Sequence, residues 1–343
     1  MNRLTLPFVL VIGLFYSSCQ PASEKKIDQT ITLAPIALLS HASFRGIHGL
    51  NNQVWLAGSN SEVWVYNTQS SIFTQVSPFE DSEIQFRDVE VLGEDTTIIV
   101  TAGFPAMLLK TNDGGISWDT VLQDTNSLAF FDGIDFQNKL SGVVFGDPID
   151  QVLQVYITNN GGNSWTAVSH EVLPKMNATE AGFAASGSSI HMQNNQVYIG
   201  LGGEQARVFK ATTEGWLASN TPLSQGTGSK GIYSLDFMNQ HGIAVGGQYD
   251  QPADDSTRAY TSDSGITWQL GQGVDEYRSS VVMISETTAI TCGPSGIDIS
   301  NDGGANWVKA SIQGLHALYW PKNSLTGYGC GADGVFYKIT LSH

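Results

Sequence analysis

The chain has 343 residues, enough for a large core, and 37 of them are glycine while only 14% are charged. Short runs of Val, Ile, Phe and Tyr between Gly, Asn, Asp and Ser clusters are typical of an all-β chain with many turns, and no long helical period competes with them. The net charge of −16 excludes long-range attraction to nucleic acid or anionic lipid, because phosphate binding needs Lys and Arg to release counterions.

The chain begins with a predicted export signal. Arg3 precedes an apolar stretch, residues 4–15, that is too short to span a bilayer, and small residues then lead to Cys19. This segment resembles the lipobox of bacterial lipoproteins, although Tyr16 stands where Leu is usual, and the resemblance implies a lipid on the Cys19 thiol. The alternative is an ordinary signal peptide in which Cys19 is incidental. We therefore expect a cell-envelope protein on the periplasmic or surface side of a bacterial membrane, attached through the lipid only, with a signal over 1–18, a tether over 19–29 and one domain over 30–343.

An octapeptide, Ser/Thr-x-Asp-x-Gly-x-Ser/Thr-Trp, recurs along that domain, as TNDGGISW (111–118), TNNGGNSW (158–165), TSDSGITW (261–268), SNDGGANW (300–307) and a shortened form, ATTEGW (211–216). The spacing of its tryptophans, about 40 to 50 residues, is typical of four-stranded propeller blades. The acid or amide should accept backbone N–H bonds in its own turn while the Trp packs inward. We expect structural roles for Asp113, Trp118, Asn160, Trp165, Trp216, Asp263, Trp268, Asp302 and Trp307.

A second marker counts the blades. An apolar strand ends in Gly at 55–59, 99–103, 143–147, 198–202, 243–247, 290–294 and 327–331. Each follows an earlier strand that begins near 44–47, 86–89, 130–134, 182–186, 232–236, 277–281 and 315–319. Seven such units predict an all-β, seven-bladed β-propeller of four-stranded antiparallel blades. The last unit stops after its third strand, so the N-terminal segment 30–39 is expected to supply the missing outer strand and close the ring.

These repeats resemble the Asp-box (bacterial neuraminidase repeat) propellers, and within them the photosystem II stability and assembly factor family and its relatives in non-photosynthetic bacteria. The resemblance implies a non-enzymatic, exported propeller that binds partner proteins through an Arg-bearing surface. The repeat is specific for the fold and weak evidence for function, because sialidases and xyloglucan-cleaving hydrolases also carry it.

Candidate binding residues come from aligning the starts of the inner strands, which meet at one mouth of the central channel. The alignment places Arg45, Arg87, Asp132, Tyr233, Arg278 and His316 at equivalent positions, with Lys230 just upstream of its blade. The positive charge predicts binding of a carboxylate or phosphate from an envelope protein or a small anionic ligand. The alternative is that these Arg side chains pair with Asp88, Asp132 or Glu180 and join blades.

A glycoside hydrolase of sialidase-like or xyloglucanase-like type is the competing functional hypothesis. A sialidase would place three Arg residues on the substrate carboxylate, Tyr233 as nucleophile with Glu180 as its partner, and Asp88 as the acid. The chain lacks the Arg-Ile-Pro element of sialidases and has seven units where they have six. The acids of two long loops, 146–154 and 246–258, fit no metal-binding pattern. We expect no cofactor, no metal and a monomer.

Two cysteines remain in the domain. Cys292 and Cys330 stand at the same place in consecutive units. A disulfide is possible in an oxidising compartment, but equivalent strands of neighbouring blades usually stand too far apart for one. We expect two buried free thiols.

Overall fold

The computed structural model describes residues 29–80, 83–253 and 256–342. The expected signal, the lipidation site Cys19 and most of the expected tether lie outside this part of the chain. Within it, no helix is long and apolar enough to cross a membrane.

The described residues form seven four-stranded antiparallel sheets, called blades 1 to 7 in chain order. Blade 1 contains β2 (Phe44–Leu50), β3 (Gln53–Gly58), β4 (Val63–Asn67) and β5 (Ile72–Gln75). Blade 2 contains β6 (Gln85–Val91), β7 (Thr97–Ala102), β8 (Ala106–Thr111) and β9 (Asp119–Asp124). Blade 3 contains β10 (Phe131–Phe136), β11 (Gly142–Ile149), β12 (Val152–Thr158) and β13 (Thr166–Ala167).

The remaining blades follow the same order. Blade 4 contains β14 (Ile190–Gln193), β15 (Gln196–Leu201), β16 (Arg207–Thr212) and β17 (Gly215–Asn220). Blade 5 contains β18 (Lys230–Met238), β19 (His241–Gln248), β20 (Arg258–Thr261) and β21 (Gln269–Leu270). Blade 6 contains β22 (Ser280–Met283), β23 (Ala289–Gly293), β24 (Gly296–Ser300) and β25 (Val308–Ser311). Blade 7 contains β26 (Ala317–Tyr319), β27 (Thr326–Cys330), β28 (Phe336–Ser342) and the N-terminal β1 (Thr30–Pro35).

The ring is closed by β1, as predicted. This strand pairs antiparallel with β28, from Thr30 opposite Ser342 to Pro35 opposite Tyr337. Ile31 and Leu33 pack against the core between blades 6 and 7. The seventh blade therefore joins the two ends of the described chain through one ladder of backbone hydrogen bonds.

The Asp-box turns fasten the outer strands. In the turn at 111–118, the Ser117 amide donates to Asp113 over 2.9 Å and the Gly115 amide donates to the Thr111 hydroxyl over 2.8 Å. The Trp118 indole donates to the carbonyl of Val76 in the preceding blade over 3.0 Å. Hydrogen bonds from Ser117 and Thr111 lower the pKa of Asp113 to about 2. The carboxylate thus stays ionised and holds its own turn.

The two cysteines of blades 6 and 7 do not form a disulfide. Cys292 and Cys330 are buried free thiols, as predicted, and burial raises the pKa of Cys330 to about 12.

The predicted start of the inner strand of blade 4, near 182–186, is wrong, because β14 begins at Ile190. Residues 181–189, called the strap, instead cross the channel. The small apolar residues of this segment imitate a strand, but they pack against side chains of other blades.

Candidate functional site

The mouth is the end of the channel at which the inner strands begin. In four blades the inner strand has a register shift there, between Phe44 and Gly46, Phe86 and Asp88, Phe131 and Gly133, and Ile232 and Ser234. The extra residue at each bulge is Arg45, Arg87, Asp132 or Tyr233. A β-bulge re-aims its side chain relative to the sheet. The register therefore confirms that these four aligned positions are equivalent.

His316 occupies the same position in blade 7, and Ser279 occupies it in blade 6. The His316 amide donates to Cys330 and the Ser279 amide donates to Cys292, the equivalent second-strand residues. The Arg278 amide donates instead to Gly246 of the preceding blade, just as the Leu315 amide donates to Gly293. The sequence alignment was therefore wrong by one residue in blade 6, and Arg278 stands where Leu315 stands in blade 7.

Arg278 is consequently a core residue and does not belong to the mouth. Its side chain is fully buried and contacts Asp298 through Nε at 2.7 Å and Nη2 at 3.0 Å. Arg258 of blade 5 pairs with the same carboxylate, and Glu276 lies 3.2 Å from Arg278. The aromatic-Arg pair at 277–278 imitates the Phe-Arg pair at 44–45, and this similarity misled the alignment. Asp298 lies on the third strand of its blade. An alignment of inner strands therefore could not identify it as the partner of Arg278.

The mouth pocket has a volume of about 330 Å³ and two unlike walls. Arg45, Arg87 and His316 form the cationic wall, and the aromatic wall consists of Phe183, Tyr233, Tyr249 and Tyr277. The strap closes the floor. The Arg45 guanidinium donates to the Ala185 carbonyl over 3.0 Å, and the Phe183 ring stacks on Tyr233 with centroids 4.0 Å apart. The pocket is therefore blind, and a ligand must enter from the mouth.

The cationic wall has no acidic partner. Among the described residues, Arg45 bonds to the Ala185 carbonyl and Arg87 to the Gln85 side chain, and neither forms an ion pair. The Arg87 Nε is buried without a hydrogen-bond partner. Burial and the nearby Arg45 lower the pKa of Arg87 to about 10. Burial, Arg45 and Arg87 together lower the pKa of His316 to about 4, so its ring is neutral at neutral pH. An anion would relieve this repulsion.

The sequence analysis considered three acids, Asp88, Asp132 and Glu180, as ion-pair partners of the Arg residues. In the structure their carboxyl groups contact other groups. Asp88 accepts the amides of Val89 and of Ile134 in the next blade, and burial raises its pKa to about 8. Asp132 lies against Gly182 of the strap, where burial raises its pKa well above the usual range. Glu180 is held by Arg207 at 2.6 and 2.5 Å. The predicted pairing of these acids with Arg45, Arg87 and Arg278 is therefore wrong.

The remaining candidates bear on the hydrolase hypothesis. The Tyr233 hydroxyl donates to the Ser229 carbonyl over 2.8 Å, and burial raises its pKa. Because Arg207 holds Glu180, the structure does not bring Glu180 to this hydroxyl as a sialidase would. Lys230 begins β18 close to Tyr233 but does not line the mouth pocket.

Sequence reasoning identified Tyr233 but missed the other three members of the aromatic wall. Tyr249 belongs to the long loop after β19, and the residue is 59% exposed. Phe183 was hidden because the strap resembles a strand in sequence, and Tyr277 stands out only as the neighbour of Arg278. Only Tyr249 had a signal that could have identified it, namely an aromatic residue in a long loop on the mouth side.

No family model and no curated protein matches this chain. Solved structures do match its fold. YCF48 bound to D1 peptide aligns with a TM-score of 0.65 and 15% identity over 90% of this chain and 94% of that one. YCF48 from Cyanidioschyzon merolae gives 0.65 and 15%, over 90% and 98%. U3-55K gives 0.64 and 12%, also over 90% and 98%. Similarity at this level of identity establishes the propeller fold and does not extend to ligands.

Proposed function

We propose that this chain is an exported, lipid-anchored binding module without enzymatic activity, and that its mouth pocket binds an acidic segment of an envelope protein. The observation that carries the proposal is that Arg45 and Arg87 have no acidic partner among the described residues. Two uncompensated guanidinium groups beside one another favour a carboxylate, which each can hold with two parallel hydrogen bonds. The global field of an acidic protein repels such a ligand, so local pairing must provide the specificity.

The aromatic wall supports a protein ligand over a bare inorganic anion. Tyr249 and its neighbours offer apolar area beside the guanidinium groups, and Tyr and Arg are the residue types that dominate protein interfaces. The solved structure of YCF48 with a D1 peptide gives a precedent for peptide binding on this fold. A blind pocket of about 330 Å³ accepts a residue or two of such a segment rather than a folded surface.

The double variant Arg45→Ala/Arg87→Ala tests this proposal. We expect the wild-type protein, immobilised and exposed to detergent extracts of the source cell envelope, to retain partner proteins that the double variant loses. The matched control is Lys139→Ala/Lys338→Ala, which removes the same charge from exposed positions outside the mouth pocket. Mass spectrometry identifies the retained proteins. The melting temperature of the double variant should change little, because neither Arg is in an ion pair.

A folded double variant that retains every partner of the wild type would refute the mouth as the binding site. Equal losses in the double variant and in the Lys control would instead indicate nonspecific dependence on charge. Either result would leave the aromatic wall without a role in recognition.

Export and anchoring have their own test. Because Cys19 follows the apolar segment directly after small residues, Cys19→Ser should give an unlipidated precursor that no longer fractionates with membranes. Ser18→Ala is the matched control, since it keeps a small residue before an intact thiol. Wild-type protein found wholly in the soluble fraction would contradict the anchor.

A further inference from the structure

Below the strap, a ring of seven equivalent inner-strand positions lines the channel. The register pairs these residues with the same second-strand position in every blade. The channel ring consists of His48, Glu90, Asp135, His191, Asp236, Val282 and Tyr319. Three carboxyl groups thus face one channel from blades 2, 3 and 5.

Two connected cavities give access to the channel ring. The upper one, of about 310 Å³, is roofed by strap residues 186–188 and lined by all seven ring residues. The lower one, of about 860 Å³, shares His191, Asp236 and Trp320 with it and is also lined by Met192, Met238, Met283 and Lys322. Exposed turn residues such as Asn194 and Asn239 border the lower cavity. A ligand can therefore enter from the underside, the end of the channel opposite the mouth.

Glu90 is the ring member that lacks a donor. Only 9% of the residue is exposed, and among the described residues its carboxyl accepts no hydrogen bond. The Nδ1 of His48 lies 3.5 Å from this carboxyl and already accepts the Val91 amide over 2.9 Å. That nitrogen therefore presents a lone pair and cannot donate to Glu90. Burial, Asp135 and Asp88 raise the pKa of Glu90 well above its usual range.

The other two ring carboxylates are held in place by backbone amides. Asp135 accepts the amides of Phe136 and of Met192 in the next blade. Asp236 accepts those of Phe237 and of Met283, and lies 3.2 Å from His191 Nδ1. The Nε2 of His191 is buried without a partner. Burial raises the pKa of Asp236 to about 7. These groups are oriented, and no Lys or Arg in the described part of the chain forms an ion pair with them, although Lys322 lines the lower cavity.

We infer that the channel below the strap binds a primary ammonium group carried on an aliphatic stem, either a lysine side chain of a partner or a free diamine. The apolar residues of the lower cavity, among them Met238 and Trp320, suit the stem. The carboxyl groups of Glu90, Asp135 and Asp236, which line the upper cavity, suit the charge. A compact ammonium can donate to carboxylates that approach from different blades, whereas a planar guanidinium needs paired oxygens in one plane. No three His, Cys, Asp or Glu side chains in the described part of the chain converge closely enough to hold a metal ion. The strap separates this site from the mouth pocket, so the inference is independent of the proposed function.

The probes are Nα-acetyl-lysine amide and 1,5-diaminopentane, titrated into the full mature protein by calorimetry and by the fluorescence of Trp320, read as the difference from a Trp320→Phe variant. We expect saturable binding that tightens from about pH 6 to about pH 8, because burial raises the pKa of Asp236 to about 7 and its carboxyl ionises over that range. Nα-acetyl-norleucine amide, which lacks the charge, should not bind. Tighter binding of the lysine amide would identify a peptide side chain as the natural source, and tighter binding of the diamine a free amine.

Glu90→Gln should lower the affinity for the ammonium probes by about 10-fold or more, because one buried charged contact is lost. Because Glu90 accepts no backbone amide, this change leaves no donor unsatisfied. Glu94→Gln, an exposed acid on the same side but outside both cavities, is the matched control and should bind as the wild type does, as should Arg45→Ala/Arg87→Ala. As a second variant, Val282→Lys would place an ammonium in the ring itself and should abolish probe binding while raising the melting temperature.

The inference is overturned if the lysine and norleucine probes bind alike, or if neither ammonium probe binds at millimolar concentration at about pH 8. It is also overturned if Glu90→Gln keeps the wild-type affinity. Should Glu90→Gln fail to fold, a Val282→Lys protein that still binds the probes would overturn it as well.

Discussion

A chain that begins at residue 41, and therefore lacks β1, is expected to lose most of its stability and its cooperative unfolding. Deletion of β1 leaves the edge of β28 unpaired from Phe336 to Ser342 and removes side chains that pack against the core between blades 6 and 7. Four partly buried side chains are lost, Ile31, Leu33, Ile36 and Leu38. At about 1 kcal/mol each for partial burial, together with the ladder of hydrogen bonds, the loss is roughly 5 kcal/mol. That is a large share of the stability of a typical domain.

Urea unfolding followed by tryptophan fluorescence measures this loss. The matched control is a chain that begins at Gln29, which keeps β1 and should unfold as the mature protein does. A synthetic peptide of residues 29–40, added in trans, should restore part of the lost stability, and the same peptide with Ile31→Asp and Leu33→Asp should not. An unchanged midpoint in the chain that begins at residue 41 would show that closure by β1 contributes nothing.

Asp298→Ala is expected to destabilise the propeller by about 3–5 kcal/mol, because it leaves two buried guanidinium groups without their shared carboxylate. Arg278, Arg258 and Asp298 are at most 2% exposed. Among the described residues, the only other acid in contact with Arg278 is Glu276, which is 30% exposed at its side chain and also binds Lys309. Solvent screens that contact, so it cannot replace Asp298.

Arg278→Leu is the informative comparison. It removes one guanidinium, leaves the pair between Arg258 and Asp298 intact, and introduces the residue type found at the equivalent position 315. We expect it to cost less than Asp298→Ala, while Glu94→Ala at the exposed surface should cost less than about 0.5 kcal/mol. Measured free energies of unfolding in which Asp298→Ala lies within that surface range would contradict a buried ion-pair network.

The sequence was sufficient for the architecture because the features that indicate it repeat. Seven second strands ending in Gly and recurrent Trp residues locate the blades even where one marker is lost, as in the shortened box at Trp216. The last blade lacks an outer strand, and the N-terminal strand lacks a blade of its own. Pairing the two leaves neither edge open, which is why the pairing of β1 with β28 could be predicted.

The site was harder to predict because its residues come from departures from the repeat. Arg45 and Arg87 were placed correctly since each follows a core Phe at the bulge. Arg278 was misplaced because in blade 6 an Arg occupies the inner-strand position that is a core Phe in blades 1 and 2. Only the hydrogen bond from the Arg278 amide to Gly246 reveals that the alignment is wrong by one residue. The strap has no equivalent in the other blades of the described chain, so no alignment of repeats could show that Phe183 and Ala185 lie across the channel.

The pairing of β1 with β28 also has a consequence for the order in which the chain folds. Every other pairing joins two strands that are consecutive in the chain. These contacts are local in sequence and can form as soon as each blade has been synthesised. The first strand must wait for the last one, and until then both edges at the gap remain open. A chain that stops short of β28 can never close the gap. Ring closure therefore distinguishes chains that contain β28 from chains that lack it, and the latter keep exposed strand edges of the kind that proteases and chaperones recognise.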